Sequence, residues 1–316
     1  MWSPDGTRIA YLGPVPDVLS DPTVPGFAHV LVVDADGSGA PKVVATAARG
    51  QSLREVRWDA RGRFVYEDSN FTLWSGAGHG ARRLGVLGVT GIVGESFSIS
   101  RDGRQVAFTA PCGCKIAQGD EVRFVPTSGG VDRVLPHPKD ALDSDPSFSP
   151  SGQEVAFTRV LTEQSAKVPF GNEHIEIAGA HGGAARSLGV HGANPVYSPD
   201  GRWVAFVGRA GVEVVTAAGG HARTLLPLHC CSIRAAYSWS PDSTTLAYVS
   251  DRAAGTLTLA GGRRTFALPG LHPDLHTPQW SPDGKTVAFG AIRNGDDLGY
   301  RVYLIGADGS GLRRIA

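Results

Sequence analysis

Trp280-Ser281-Pro282-Asp283-Gly284-Lys285-Thr286-Val287-Ala288-Phe289 is a tight turn that runs straight into an alternating apolar strand. Nearly the same string stands at Trp2-Ser3-Pro4-Asp5-Gly6, before Ile9-Ala10-Tyr11, and at Tyr197-Ser198-Pro199-Asp200-Gly201, before Val204-Ala205-Phe206. Looser copies are Phe148-Ser149-Pro150-Ser151-Gly152 and Trp239-Ser240-Pro241-Asp242-Ser243. Two more are further worn, Trp58-Asp59-Ala60-Arg61-Gly62 and Ile99-Ser100-Arg101-Asp102-Gly103. From one opening residue to the next the steps are 56, 41, 49, 49, 42 and 41 residues, which makes seven copies.

The residues of the unit follow from its backbone. Proline presets the angle at the second position of a turn, aspartate bonds its own backbone, and glycine supplies the left-handed conformation a bulged hairpin needs. The short β-branched and aromatic run after the turn reads as a strand. The repeated aspartate is therefore structural, since a catalytic acid is not expected at one turn position in copy after copy.

A period of about 40 to 50 residues is that of four-stranded propeller blades, each one unable to bury its faces alone. The expected architecture is all-β, a seven-bladed propeller of four-stranded antiparallel blades whose first blade lacks part of its innermost strand. The blades are expected near 1–50, 51–91, 92–140, 141–190, 191–230, 231–271 and 272–316, forming a single domain over residues 1–316. In this scheme each blade reads strand A, the Ser-Pro-Asp-Gly turn, strand B, a variable loop, strand C, a glycine turn and strand D. The 42 glycines and 21 prolines fit many short strands joined by tight turns.

Thirty basic and thirty acidic residues cancel. The broad attraction behind nonspecific nucleic-acid binding is then missing, so no nucleic-acid partner is expected. No apolar run approaches the roughly 18 residues of a span, so no membrane insertion is expected. Met1 directly before the first turn leaves almost no innermost strand, which suggests an upstream part that carried a signal sequence and a periplasmic or secreted location.

The seven turns, the strands after them and turns such as Gly306-Ala307-Asp308-Gly309-Ser310-Gly311 resemble the TolB-like, tryptophan-aspartate-like propeller repeats. The resemblance covers essentially the whole chain. It implies a propeller, whereas members of the group serve as periplasmic binding proteins, accessory domains of prolyl oligopeptidase-type peptidases and, occasionally, lyases. TolB itself has an additional amino-terminal α/β domain with no counterpart in this chain.

Long insertions mark one face of the expected ring, the B to C loops 13–28 and 161–173 and the D to A connection 136–145. Loops on a rigid scaffold are the ordinary place for binding. Histidines 137, 191, 229, 272 and 276 all fall in expected D to A connections, near the mouth of the central channel. The expected function is a non-catalytic scaffold binding a protein, peptide or glycan there through Glu95, Asp143, Asp145, Asn194, His229, Arg234, His272 and His276. No catalytic residue and no cofactor is expected. The alternatives are a metal-dependent lyase or hydrolase acting on a saccharide, its ion held by His229, His272 and His276, and a propeller domain of a larger prolyl oligopeptidase-like protein.

Cys112 with Cys114, and Cys230 with Cys231, are each close enough in sequence for a local disulfide; free thiols and metal binding are the other readings. Asp34-Ala35-Asp36-Gly37-Ser38-Gly39 starts like a calcium loop but lacks the closing glutamate and falls where a hairpin turn is needed. No Gly-x-Ser-x-Gly nucleophile elbow and no phosphate-binding loop occurs.

Overall fold

The computed structural model describes residues 1–13, 29–48, 51–76, 81–86, 97–111, 120–161, 172–227, 235–250, 254–273, 277–293 and 301–315. Glu95, His229, Arg234, His276 and all four cysteines lie outside them. Among the described residues all named elements are β-strands. The first sheet is β1 (Arg8–Gly13), β2 (His29–Asp34) and β3 (Lys42–Thr46), and the second is β4 (Leu53–Trp58), β5 (Phe64–Asp68), β6 (Thr72–Ser75) and β7 (Arg82–Val86). The third is β8 (Phe97–Ile99), β9 (Gln105–Pro111), β10 (Asp120–Pro126) and β11 (Arg133–Val134).

A long sheet follows, made of β12 (Ala141–Phe148), β13 (Glu154–Leu161), β14 (Glu173–Gly179), β15 (Arg186–Tyr197), β16 (Trp203–Gly208), β17 (Gly211–Thr216) and β18 (Arg223–Pro227). Next come β19 (Ala235–Trp239), β20 (Thr245–Ser250), β21 (Ala254–Thr258) and β22 (Arg263–Thr265). The last sheet holds β23 (Leu271–Pro273), β24 (Gln279–Trp280), β25 (Thr286–Arg293), β26 (Arg301–Gly306) and β27 (Arg313–Arg314).

The all-β propeller is found, but the expected seven four-stranded blades are not. β15 pairs with β14 at its start and with β16 at its end, so the fourth and fifth repeats share one seven-stranded sheet. The first repeat contributes three strands, its innermost segment reduced to the isolated bridge between Trp2 and Ile9. Among the described residues five sheets have four strands or more. By that count this is a five-bladed propeller, not a seven-bladed one, with the three-stranded sheet beside it. The physical reason is local: residues 189–194, read from sequence as a connection, continue the strand and exchange one hydrogen-bonding partner for the next.

The turns do what their residues foretell. The serine hydroxyl donates to the aspartate Oδ1 at 2.6 Å in Ser3–Asp5, Ser198–Asp200, Ser240–Asp242 and Ser281–Asp283. The serine Oγ in turn accepts the N–H opening strand B, from Arg8, Trp203, Thr245 and Thr286 at 2.9 to 3.0 Å. These bonds hold the Asp283 carboxyl below the usual carboxylate range, and that of Asp5 at about 2. The glycines stand at positive φ, +72° at Gly6 and +71° at Gly284, and pack against the preceding turn. A Cβ on Gly6 would lie 3.4 Å from Pro282 Cδ, and one on Gly284 3.7 Å from Pro241 Cδ. The Asp34 to Gly39 segment forms the hairpin between β2 and β3, with the Ser38 N–H donating to Asp36 Oδ1 at 2.7 Å.

A chain of indoles ties neighbouring inner strands together. Trp239 Nε1 donates to the Val196 carbonyl, Trp280 to Ser238, Trp2 to Gln279 and Trp58 to Met1, at 3.0 to 3.2 Å. The Trp2 bond closes the ring between the first sheet and the last. Arg313 adds to the closure by donating to the carbonyls of Ala35 and Asp36. Ile9, Val33, Ala288 and Leu304 bury their side chains there, a smaller cluster than the nine buried residues around Phe157 or around Phe289.

Candidate functional site at the inner strands

The two inner strands of the long sheet bulge at matching places. Pairing shifts register between Ser144 and Ser147 in β12 and between Ala193 and Val196 in β15. Each bulge holds a residue at positive φ, Asp145 at +53° and Asn194 at +57°, and a proline follows in both cases. Asp and Asn tolerate this conformation better than other side chains, and bulges commonly re-aim a side chain near a site. Each bulged N–H is anchored across to the preceding repeat: Asp145 donates to Thr109 Oγ1 and Asn194 to Thr158 Oγ1, both at 3.1 Å. The Asn194 carbonyl accepts the Tyr237 hydroxyl from β19.

Asp145 is 4 % exposed, and burial raises its pKa to about 6, helped by the charge of Asp120. The Ser144 hydroxyl donates to Oδ2 at 2.9 Å. Oδ1 takes no hydrogen bond of good geometry, although the Thr158 hydroxyl and the Asn194 amide lie near enough to temper its charge. Asp120, half-buried at the start of β10, is raised to about 6 by the same loss of water. Two carboxylates that resist ionisation thus share a polar seam with Thr109, Ser144, Thr158 and Asn194. Chemically this is a set of acceptors suited to hydroxyl or N–H donors.

Asp143 has a different task. It is 0 % exposed and receives two 2.7 Å bonds from Arg159, Nε to Oδ1 and Nη2 to Oδ2. Burial pushes its carboxyl up and the guanidinium opposes that push. Arg159 also faces Glu176 at 3.5 Å. Asp143, Arg159, His174 and His191 stand opposite one another in register across β12 to β15, forming one polar row on a single face of the sheet. Beside the row, His137 lies 3.4 Å from Glu121, which also binds Arg123.

His272 is exposed on β23 opposite Ile292. Among the described residues no three His, Cys, Asp or Glu gather where a metal could sit. His191 and His272 occupy strands, not the connections expected for them. Asp143, Asp145 and Asn194 are thus brought into one region of β12 to β15, and His272 is not part of it.

Asp120, Thr109 and Thr158 are functional-site neighbours that residue-by-residue reading passes over. A signal was present for the threonines, since Val106-Ala107-Phe108-Thr109 and Val155-Ala156-Phe157-Thr158 repeat at a 49-residue step, matching Asp145-Pro146 and Asn194-Pro195. On the opposite, turn-bearing face a cavity of about 210 Å³ is lined by Ile99, Arg101, Phe148, Pro150, Tyr197 and Pro199. No helix among the described residues is long and apolar enough to cross a membrane.

No protein-family model matches the chain, and no curated protein does. Solved structures do. A puromycin-hydrolyzing peptidase of Mycobacterium tuberculosis is 14% identical with a TM-score of 0.64, over 100% of this chain and 55% of its own. The oligogalacturonate lyase of Vibrio parahaemolyticus is 10% identical at 0.60, over 97% and 84%. TolB of Acinetobacter baumannii is 15% identical at 0.49, over 96% and 62%. The chain therefore spans a little over half of the peptidase. Together with the turns, the likenesses to the peptidase and the lyase support a β-propeller fold.

Proposed function

We propose that the chain is a non-catalytic scaffold that binds a protein, peptide or glycan partner on its loop-rich face and channel mouth. The observation that carries this reading is the pair of matched bulges, which hold Asp145 and Asn194 at one position of adjacent repeats and anchor each to its neighbour. Binding by a stiff ring needs such pre-set polar groups, because little ordering cost is then left for association. Asp145, buried with its Oδ1 short of a well-formed hydrogen bond, sets the polar character of this bulge. Glu95, His229, Arg234 and His276 belong to the same proposal, as does a periplasmic or secreted location.

The test is retention on arrays of immobilised oligosaccharides and peptides. Asp145→Asn and Asn194→Gly should each weaken retention of whatever the wild type holds by tenfold or more, with the melting temperature at pH 7 not lowered. Undiminished retention by both variants would remove this face from the reading.

Two further readings have particular support. The match to the peptidase covers this whole chain and about half of that one, as expected for the propeller domain of a larger prolyl oligopeptidase-like protein. An antibody against the propeller should then detect a native polypeptide much longer than 316 residues. The match to an oligogalacturonate lyase supports an enzyme acting on a saccharide; in that reading the enzyme is metal-dependent, with His229, His272 and His276 as ligands. Elemental analysis of protein purified without chelator should then find a transition metal that is lost on replacing His272.

A further inference from the structure

Outside the bulges, the end of the polar row on the long sheet is unaccounted for. We propose that His174 and His191 form a two-imidazole site for a divalent transition-metal ion, of the zinc, nickel or copper class. The two residues are direct cross-strand partners on β14 and β15, so their side chains leave the same face of the sheet. Their ring centroids lie 4.5 Å apart with planes tilted by 46°. An ion bound to nitrogen at about 2.0 to 2.1 Å needs its two nitrogen ligands roughly 3 to 3.5 Å apart, which rings at this separation reach by rotation about χ2. Imidazole is the ligand that nickel, copper and zinc share.

The surroundings favour a cation. Arg159, the cross-strand partner of His174 on β13, is covered by Asp143 at 2.7 Å and Glu176 at 3.5 Å. Glu173, one residue before His174, adds negative charge. His191 is exposed and His174 half-buried, which leaves the site open to solvent. No third His, Cys, Asp or Glu completes a cluster among the described residues, so the remaining coordination positions fall to water or to a group brought by another molecule.

The position gives the ion a structural effect. Immediately after His191 the strand changes partner, Gly192 pairing with Gly208 of β16. A metal across His174 and His191 clips β15 to β14 at the place where that pairing ends.

Zinc chloride titrated into the full chain, followed by calorimetry and by thermal melting, tests this. Wild type should bind one more equivalent than either His174→Ala or His191→Ala, and the zinc-induced rise in melting temperature should shrink equally in both. The double variant should lose no more than a single one, and His272→Ala should keep the equivalent. Both variants melting like wild type without zinc shows that folding is intact; if either does not, the conservative His191→Gln is read in its place. The proposal is overturned if the variants keep the stoichiometry and the thermal shift, or if the two losses add as separate sites.

Discussion

Asp145 and Asp143, two residues apart on β12, are both buried acids with opposite fates. Asp143 has its full complement of charge-assisted bonds from Arg159, so Asp143→Asn strands a buried guanidinium and should cost roughly 3 to 5 kcal/mol, read as a lower denaturation midpoint. Asp145 has a carboxyl lifted to about 6, above its value in an unfolded chain. A raised acid contributes stability below the unfolded pKa, near 4, and loses it as pH rises through 6. Asp145→Asn should therefore stabilise the protein by roughly 1 to 3 kcal/mol at pH 7 and by little at pH 4, flattening that limb of a plot of melting temperature against pH. Asp5, held at about 2 by Ser3 and Thr7, has the reverse sign: its contribution is present above pH 4 and fades as pH falls toward 2. The acid limb of the same plot should survive the Asp145 substitution. Sequence singled out Asp143 and Asp145 together because both are acids leading into an inner strand. It did not separate them, since the partner of Asp143 is sixteen residues away and is chosen by cross-strand register.

The turn is the element most completely readable from the chain. Its serine, proline, aspartate and glycine each have a local reason, and strands such as His29–Asp34 and Arg82–Val86 begin and end where their residue patterns do. Ser198→Ala should test the turn directly, leaving the Trp203 N–H without its acceptor and costing about 1 to 3 kcal/mol by chemical denaturation. The looser copy with Ser243 in place of glycine behaves differently. Ser243 sits at φ +63°, and its hydroxyl accepts the Asp200 N–H of the preceding turn at 2.9 Å. Ser243→Ala keeps the strained backbone and loses that bond, so about 1 kcal/mol of destabilisation is expected; Ser243→Gly relieves the backbone and should stay nearer to wild type. β15 was not legible. Gly189, Gly192 and Pro195 punctuate it like a connection, but Gly189 is absorbed at φ +72° beside a register shift and the strand runs on. Which strand a segment pairs with is settled by distant chain, and nothing in the twelve residues records it.

For the whole molecule the repeat count was the guide, and it misjudged how repeats convert into sheets. Seven turns give five sheets of four or more strands among the described residues, because one pair of repeats merges and the first repeat is short of a strand. The first sheet closes on the last through Trp2, Arg313 and a small apolar cluster. That seam buries four residues where the contact centred on Phe157 buries nine. Hydrogen exchange should therefore show β1 opening at lower free energy than β9, β10 and β13; equal protection would contradict a weak seam. The shared strand β15 has the opposite consequence. Elsewhere among the described residues consecutive repeats lie in separate sheets, so a unit can be added or removed without breaking a shared strand. Across β15 the two repeats are joined by backbone, so neither can be excised without exposing a row of unpaired amides and carbonyls. Any attempt to shorten or permute the chain has to move the fourth and fifth repeats as one piece.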